Sequence, residues 1–255
     1  MTGSRIVRKY RYPEIRREWD ERLRGRVYVV DGEPLPSVTT ILARTKDESG
    51  LDAWRRRVGE EEARRISREA TEIGNAMHRV IEAWALGDDV PEPADDLSSL
   101  GHRMGRVIIE RGLSGVDEVW GSEVNLFYPG MYAGTADMVG VWSGRPAIMD
   151  FKSTNKPKRD AWIGDYFCQL VAYARAHDVL FGTDIRCGVI FMCARDGTFQ
   201  QFVIEGDRFA QWEREWAARL TVWYLMDGTV APDDVPSDLR PKVDAIMRTI
   251  GRAAG

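Results

Sequence analysis

Cysteine is scarce in this chain and has no pattern: Cys168, Cys187 and Cys193 are three in number and form no CxxC pair. That argues against a disulfide framework and against a cysteine-rich zinc or iron–sulfur site, and it leaves reduced core thiols as the expectation. Long apolar runs are missing too. None approaches the roughly 20 residues that span a bilayer, so no membrane segment is expected. Met1 to Tyr12 is basic and polar and lacks the apolar stretch of a secretory signal, which makes a cytoplasmic protein the expectation. Positive charge is not in surplus. With 36 Lys and Arg against 40 Asp and Glu the net charge is −4, so total charge gives no sign of a polyanionic partner. Histidine is limited to His78, His102 and His177.

The distribution of charge says more than its sum. Residues 1–26 carry nine Lys and Arg against four acids, a basic arm that either contacts phosphates or forms a solvated face. The 255 residues, 44% of them hydrophobic, suit one domain. Val27 to Leu42 reads as a strand, an Asp-Gly turn and a short helix capped by Ser37 or Thr39 after Pro36. Leu51 to Ala70 is a charged helical stretch. Thr71 to Leu86 is an amphipathic helix, with Ile73, Met77, Val80, Ile81 and Trp84 at helical spacing. A further helix, Leu97 to Arg111, stops at Gly112. Strands are then expected over Glu118 to Tyr128, Gly134 to Trp142 and Pro146 to Lys152. A helix over Asp160 to His177 follows. A hairpin of Arg186 to Cys193 with Thr198 to Ile204 turns at Asp196-Gly197, and helices over Asp207 to Met226 and Ser237 to Arg252 complete the chain. This order divides the domain into a helical part (1–115), a sheet-and-helix core (116–206) and C-terminal helices (207–255). The fold class expected is α+β, a mixed sheet flanked by helices.

The densest chemistry lies in GTADMVGVWSGRPAIMDFKSTNK, Gly134 to Lys156. Asp137 and Asp150 fall on adjacent expected strands. Lys152 follows Asp150 at i+2, so their side chains share one face. Two carboxylates beside an ammonium offer hard oxygen ligands that suit Mg²⁺ or Mn²⁺. A metal held there can neutralise charge on a phosphoryl oxygen, and the lysine can orient or deprotonate a water or stabilise the transition state. The preceding helix stacks Gly74, His78 and Glu82 on one face, and a neutral imidazole can join a metal site. Gln169 and Tyr173 are i, i+4 on the helix after the lysine strand.

In order, these pieces run Gly-x-x-x-His, Glu123, Gly-Thr-Ala-Asp, Asp-Phe-Lys, Gln-x-x-x-Tyr. That order resembles the RecB-like nucleases of the PD-(D/E)XK superfamily, whose core is a restriction-endonuclease-like mixed sheet flanked by helices, here with an N-terminal helical addition. The stretch PSVTTIL, Pro36 to Leu42, is similar to the N-terminal signature of the subgroup that contains phage exonucleases and mitochondrial genome maintenance exonucleases. The resemblance covers Pro36 to about Tyr173. It implies that His78, Asp137, Asp150 and the Phe151 carbonyl hold one or two Mg²⁺ or Mn²⁺ ions. It also implies that Lys152 is catalytic, that Glu123 is an auxiliary acid, that Gln169 and Tyr173 support the site, and that Ser37, Thr39 and Thr40 contact a DNA backbone. Relatives with an iron–sulfur cluster use four cysteines, which this chain lacks, so no such cluster is expected.

The implied activity is a metal-dependent DNA exonuclease acting on single strands or DNA ends, in a bacterial or phage-infected cell, with a recombination or replication protein as a possible partner. Trp54 and Tyr132 are candidates for stacking on bases. Lys156, Lys158 and Arg159 either hold a phosphate or form a solvated basic turn. No phosphate-loop motif is present, so the chain is not expected to unwind DNA unaided. Two other readings remain: an endonuclease with the same site, and a non-catalytic DNA-binding protein that keeps the fold.

Overall fold

The first strands form where few were expected. In the computed structural model, which describes residues 4–23 and 25–253, three short strands make an antiparallel sheet. They are β1 (Arg16–Asp20), β2 (Gly25–Val30) and β3 (Glu33–Pro36), with Asp31 and Gly32 turning at positive φ of 50° and 89°. The N-terminal part is therefore not purely helical. Strand β1 reads Arg-Arg-Glu-Trp-Asp and is almost fully exposed, so no apolar alternation marks it as a strand. Of the basic arm, Arg24 lies outside the described residues.

Helix α1 (Val38–Arg44) follows, capped by Ser37, whose Oγ accepts from the Thr40 amide. Helices α2 (Ser49–Val58) and α3 (Glu60–Leu86) then divide at Gly59, which sits at φ 87°, outside the helical range. The charged and amphipathic stretches expected as two helices meeting near residue 70 are thus mostly one. Nothing at Ala70 or Thr71 interrupts the hydrogen-bond ladder, and Gly87 ends α3 in the left-handed region. Helix α4 (Asp96–Arg111) starts from a capping box at Asp95 and Ser98. It packs closely on α3 through Gly101 and Gly105, where an added Cβ would lie within 2.5 Å of the Ile73 carbonyl and 2.9 Å of the Val80 Cβ.

The central sheet has the order β4 (Val116–Tyr128), β5 (Tyr132–Trp142), β6 (Arg145–Thr154), β7 (Cys187–Ala194), β8 (Phe199–Glu205). All neighbours are antiparallel except β6 and β7, which are parallel because α5 (Gly164–Phe181) crosses between them. The mixed sheet flanked by helices is the expected class. One face carries Ile148, Val139 and Ile190 against α5 and α6 (Gly206–Asp227). The other carries Met149, Phe151 and Phe191 against α3 and α4. Buried Arg219 ties α6 to the end of α1, donating to the Leu42 carbonyl at 2.7 Å and to Thr45 Oγ1 at 2.6 Å. Helix α7 (Arg240–Ala253) packs on α6. The three cysteines are buried and free. Among the described residues, no helix is long and apolar enough to cross a membrane.

Candidate active site

The β5–β6 ladder is shorter than either strand. It runs from Trp142↔Arg145 to Met138↔Met149 and stops. Beyond that point β5 continues paired only with β4, and β6 only with β7, so the two strands diverge as a fork. A fork leaves backbone groups without ladder partners, and buried ones need substitutes. The Phe151 amide donates to Asp137 Oδ2 at 2.8 Å. The Phe151 carbonyl meets His78 Nε2 at 3.0 Å. The side chains that fill the fork are the ones singled out for their chemistry.

Glu123 reaches the same place through an unusual backbone. It lies between the pairs Ser122↔Met138 and Val124↔Ala136 and adopts φ 52°, a left-handed conformation that a glutamate takes only when its surroundings impose it. Its Oε1 stands 3.2 Å from His78 Nδ1, and Asp137 Oδ2 is 3.8 Å from the same nitrogen. Ligand atoms of His78, Glu123 and Asp137 all lie within 4.8 Å of one another. Both imidazole nitrogens face acceptors. Burial alone would depress the imidazolium, but Asp137 and Glu123 outweigh it and raise the His78 pKa to about 9.

Asp150 and Lys152 do share a face of β6, on the α5 side. Asp150 is 1% exposed, and burial pushes its carboxyl up to about 7 against the pull of Lys152. Lys152 Nζ is 2.6 Å from Asp150 Oδ2, and among the described residues no other donor reaches either Asp150 oxygen. Burial works against the Lys152 ammonium too, yet Asp150 and Asp137 overcome it and raise its pKa. The Tyr166 ring, 5.0 Å from Nζ, covers it.

A buried carboxylate faced only by Lys152, next to three clustered N and O ligand atoms and a backbone carbonyl, is a donor set that fits a hard divalent cation. His78, Glu123 and Asp137 form the cluster; Asp150 lies behind it, turned to Lys152. Gln169 and Tyr173 are buried beneath, linked at 3.4 Å. An added Cβ at Gly134 would lie 2.6 Å from Tyr173 Cε1 and 2.8 Å from its hydroxyl. Gly134→Ala is therefore expected to displace Tyr173 and cost about 1–3 kcal/mol of stability; an unchanged melting temperature refutes that packing account.

The cluster opens into a cleft of about 530 Å³ walled by α3 on one side and by the small sheet and α1 on the other. Ser37 and Thr39 line it. Ser37 and Thr40 are buried, with Thr40 N and the Arg26 carbonyl engaging their hydroxyls, whereas Thr39 is exposed. Lys156, Lys158 and Arg159 are exposed and do not line this cleft. Lys158 borders a separate pocket with Ser153, Thr154, Asn155, Tyr166 and Arg195, and its backbone is pinned by Gln200. Tyr132 does not serve as a stacking platform. It is 2% exposed, its hydroxyl donates to the Ala172 carbonyl, and Trp216 meets its ring edge-to-face. Trp54 is half-buried on α2.

Sequence reasoning missed Tyr28, Asn75, Thr135 and Tyr166. It named Arg17 and Arg26 only as members of the basic arm, and the structure brings both to the cleft. Tyr166 precedes Gln169 and Tyr173 at helical spacing, a signal that was available. Thr135 stands inside the Gly-Thr-Ala-Asp motif and bonds the Tyr28 hydroxyl at 3.0 Å. Arg17, a member of the basic arm, sits on the unexpected strand β1. Two cations of the basic arm are spent on packing: Arg5 donates to the Trp84 carbonyl, and Lys9 covers the Trp120 ring at 4.2 Å.

The chain is similar to proteins named mitochondrial genome maintenance exonuclease 1. The human protein is 25% identical over 204 residues, 73% of this chain and 57% of its own length. The mouse protein is 25% identical over 177 residues, covering 64% and 51%. The Xenopus tropicalis protein is 28% identical over 182 residues, covering 64% and 50%. The chain thus spans about half the length of these curated relatives. All three are vertebrate proteins named as mitochondrial; none comes from a phage or a bacterium. No protein-family model matches the chain.

Proposed function

We propose that this chain is a divalent-metal-dependent nuclease of the PD-(D/E)XK type that hydrolyses DNA phosphodiester bonds from an end. The observation that carries the reading is the fork, where His78, Glu123 and Asp137 converge beside the buried Asp150–Lys152 pair. The similarity to proteins named exonucleases supports it independently.

Asp137, Glu123, His78, the Phe151 carbonyl and Asp150 would hold one or two Mg²⁺ or Mn²⁺ ions. A bound ion supplies positive charge opposite the phosphoryl oxygens and acidifies water. The residues of the chain do the rest. Lys152, 2.6 Å from Asp150, is held where its ammonium can steady developing negative charge or orient the attacking water. Tyr166 and the α5 face restrict where that ammonium can point. Gln169 and Tyr173 brace Gly134 and the wall below Asp137.

A 5′- or 3′-labelled single strand, incubated with Mg²⁺, Mn²⁺ or EDTA beside a closed circular single strand, tests the reading. Shortening of the linear strand with metal, none with EDTA, and survival of the circle are the expected results, and the label gives the polarity. Cleavage of the circle makes the enzyme an endonuclease with the same site. No cleavage with either metal overturns the nuclease reading.

A further inference from the structure

The cleft continues past its rim. Arg17, Arg26 and Thr39 line both the cleft and an adjoining groove of about 430 Å³, closed on its far side by Trp19 and Arg44. In the β1–β2 register Arg17 faces Tyr28 and Trp19 faces Arg26. Cross-strand partners and i, i+2 neighbours lie on one face of a sheet, so Arg17, Trp19, Arg26 and Tyr28 form a continuous surface. Tyr28 anchors its inner end through Thr135 in the cleft. Arg26 and Trp19 carry the surface outward, and Arg44 rises opposite from the last turn of α1.

The electrostatics of this groove are one-sided. Glu18, its acidic residue, is paired with Arg16 at 2.8 Å. The other ion pair nearby, among the described residues, joins Arg22 to Asp227, and neither pair involves Arg17, Arg26 or Arg44. Three exposed guanidinium groups without acidic partners therefore share one concave surface. Trp19 is 63% exposed, a large flat ring left in water beside them.

We propose that this groove is a track for a single polynucleotide strand leaving the cleft, with Arg17, Arg26 and Arg44 on its phosphates and Trp19 stacked on a base. The inference rests on the nuclease reading of the cleft. Unpaired cations in a groove suit a polyanion, and an exposed indole suits a base whose face is free, which a duplex does not offer. The track leaves on the side of the small sheet, away from α2 and the outer half of α3.

The test is fluorescence anisotropy of a labelled 20-nucleotide single strand in EDTA, where no cleavage occurs, across a salt series. Arg17→Gln, Arg26→Gln and Arg44→Gln together should weaken binding at least tenfold. They should also flatten the log Kd against log salt slope by about 2, since each single-strand phosphate contact contributes about 0.7. The matching lysine variants should keep most of that slope. Trp19→Ala should weaken binding roughly tenfold with the slope intact. Groove variants that bind with the affinity and slope of the native chain overturn the proposal. So does a slope that falls only with Arg56→Gln and Arg68→Gln, which border a different groove on α2 and α3. The two readings fail separately: a native chain that binds the strand through these arginines yet cuts nothing with Mg²⁺ or Mn²⁺ keeps the track and loses the nuclease.

Discussion

Lys152→Met is expected to lower metal-dependent hydrolysis by roughly 10²–10³-fold, the loss that follows removal of one preorganised donor to developing negative charge. The same change should weaken the fold. Asp150 is buried, and its counter-charge is Lys152 at 2.6 Å. Removing Lys152 leaves Asp150 either charged and uncompensated or forced to take up a proton, at a cost of up to about 3–5 kcal/mol. Asp150→Asn added to Lys152→Met removes that charge and should recover part of the stability without recovering activity. Thermal melts of the two variants in EDTA, beside initial rates on a labelled strand, separate the two roles. A fully active Lys152→Met enzyme refutes the catalytic assignment. A double variant no more stable than the single refutes the electrostatic account of the pair.

Asp137 performs two tasks that two substitutions can divide. Its Oδ2 accepts the Phe151 amide at the fork, and its charge stands among His78, Glu123 and Lys152. Asp137→Asn keeps an oxygen for the amide and removes the charge. Hydrolysis is expected to fall by roughly 10³-fold, the several kcal/mol a metal centre contributes. Mn²⁺ binding in titration calorimetry should weaken with it, and the melting temperature at neutral pH should fall modestly, since the His78 imidazolium and Lys152 lose a counter-charge. Asp137→Ala removes the acceptor as well and should cost a further 1–3 kcal/mol or about that in stability, the penalty of a buried amide without a partner. Asp137→Asn that binds Mn²⁺ as tightly as the native chain removes Asp137 from the proposed ligand set.

The sequence by itself determined whatever a single element's geometry decides. The two-residue repeat of a strand puts Asp150 and Lys152 on one face wherever β6 ends up. The helical repeat brings Gln169 near Tyr173, and the sequence offered Ser37 or Thr39 as the cap of α1, of which the structure uses Ser37. Amphipathic stretches and turn residues located most helices and the five strands of the central sheet, since burial of one face requires that spacing. Tertiary structure decided the rest. No local rule ends the β5–β6 ladder at Met138 and Met149, and that early end makes room for His78 to reach a carbonyl 73 positions away. Packing at the fork holds Glu123 at positive φ, against its own preference. The same non-local packing buried Tyr132 and brought Arg17, on a polar strand with no apolar signature, to the cleft. Local periodicity sets the direction of a side chain relative to its own element; which elements meet depends on burying apolar area between segments far apart in the chain, and the site stands where they meet.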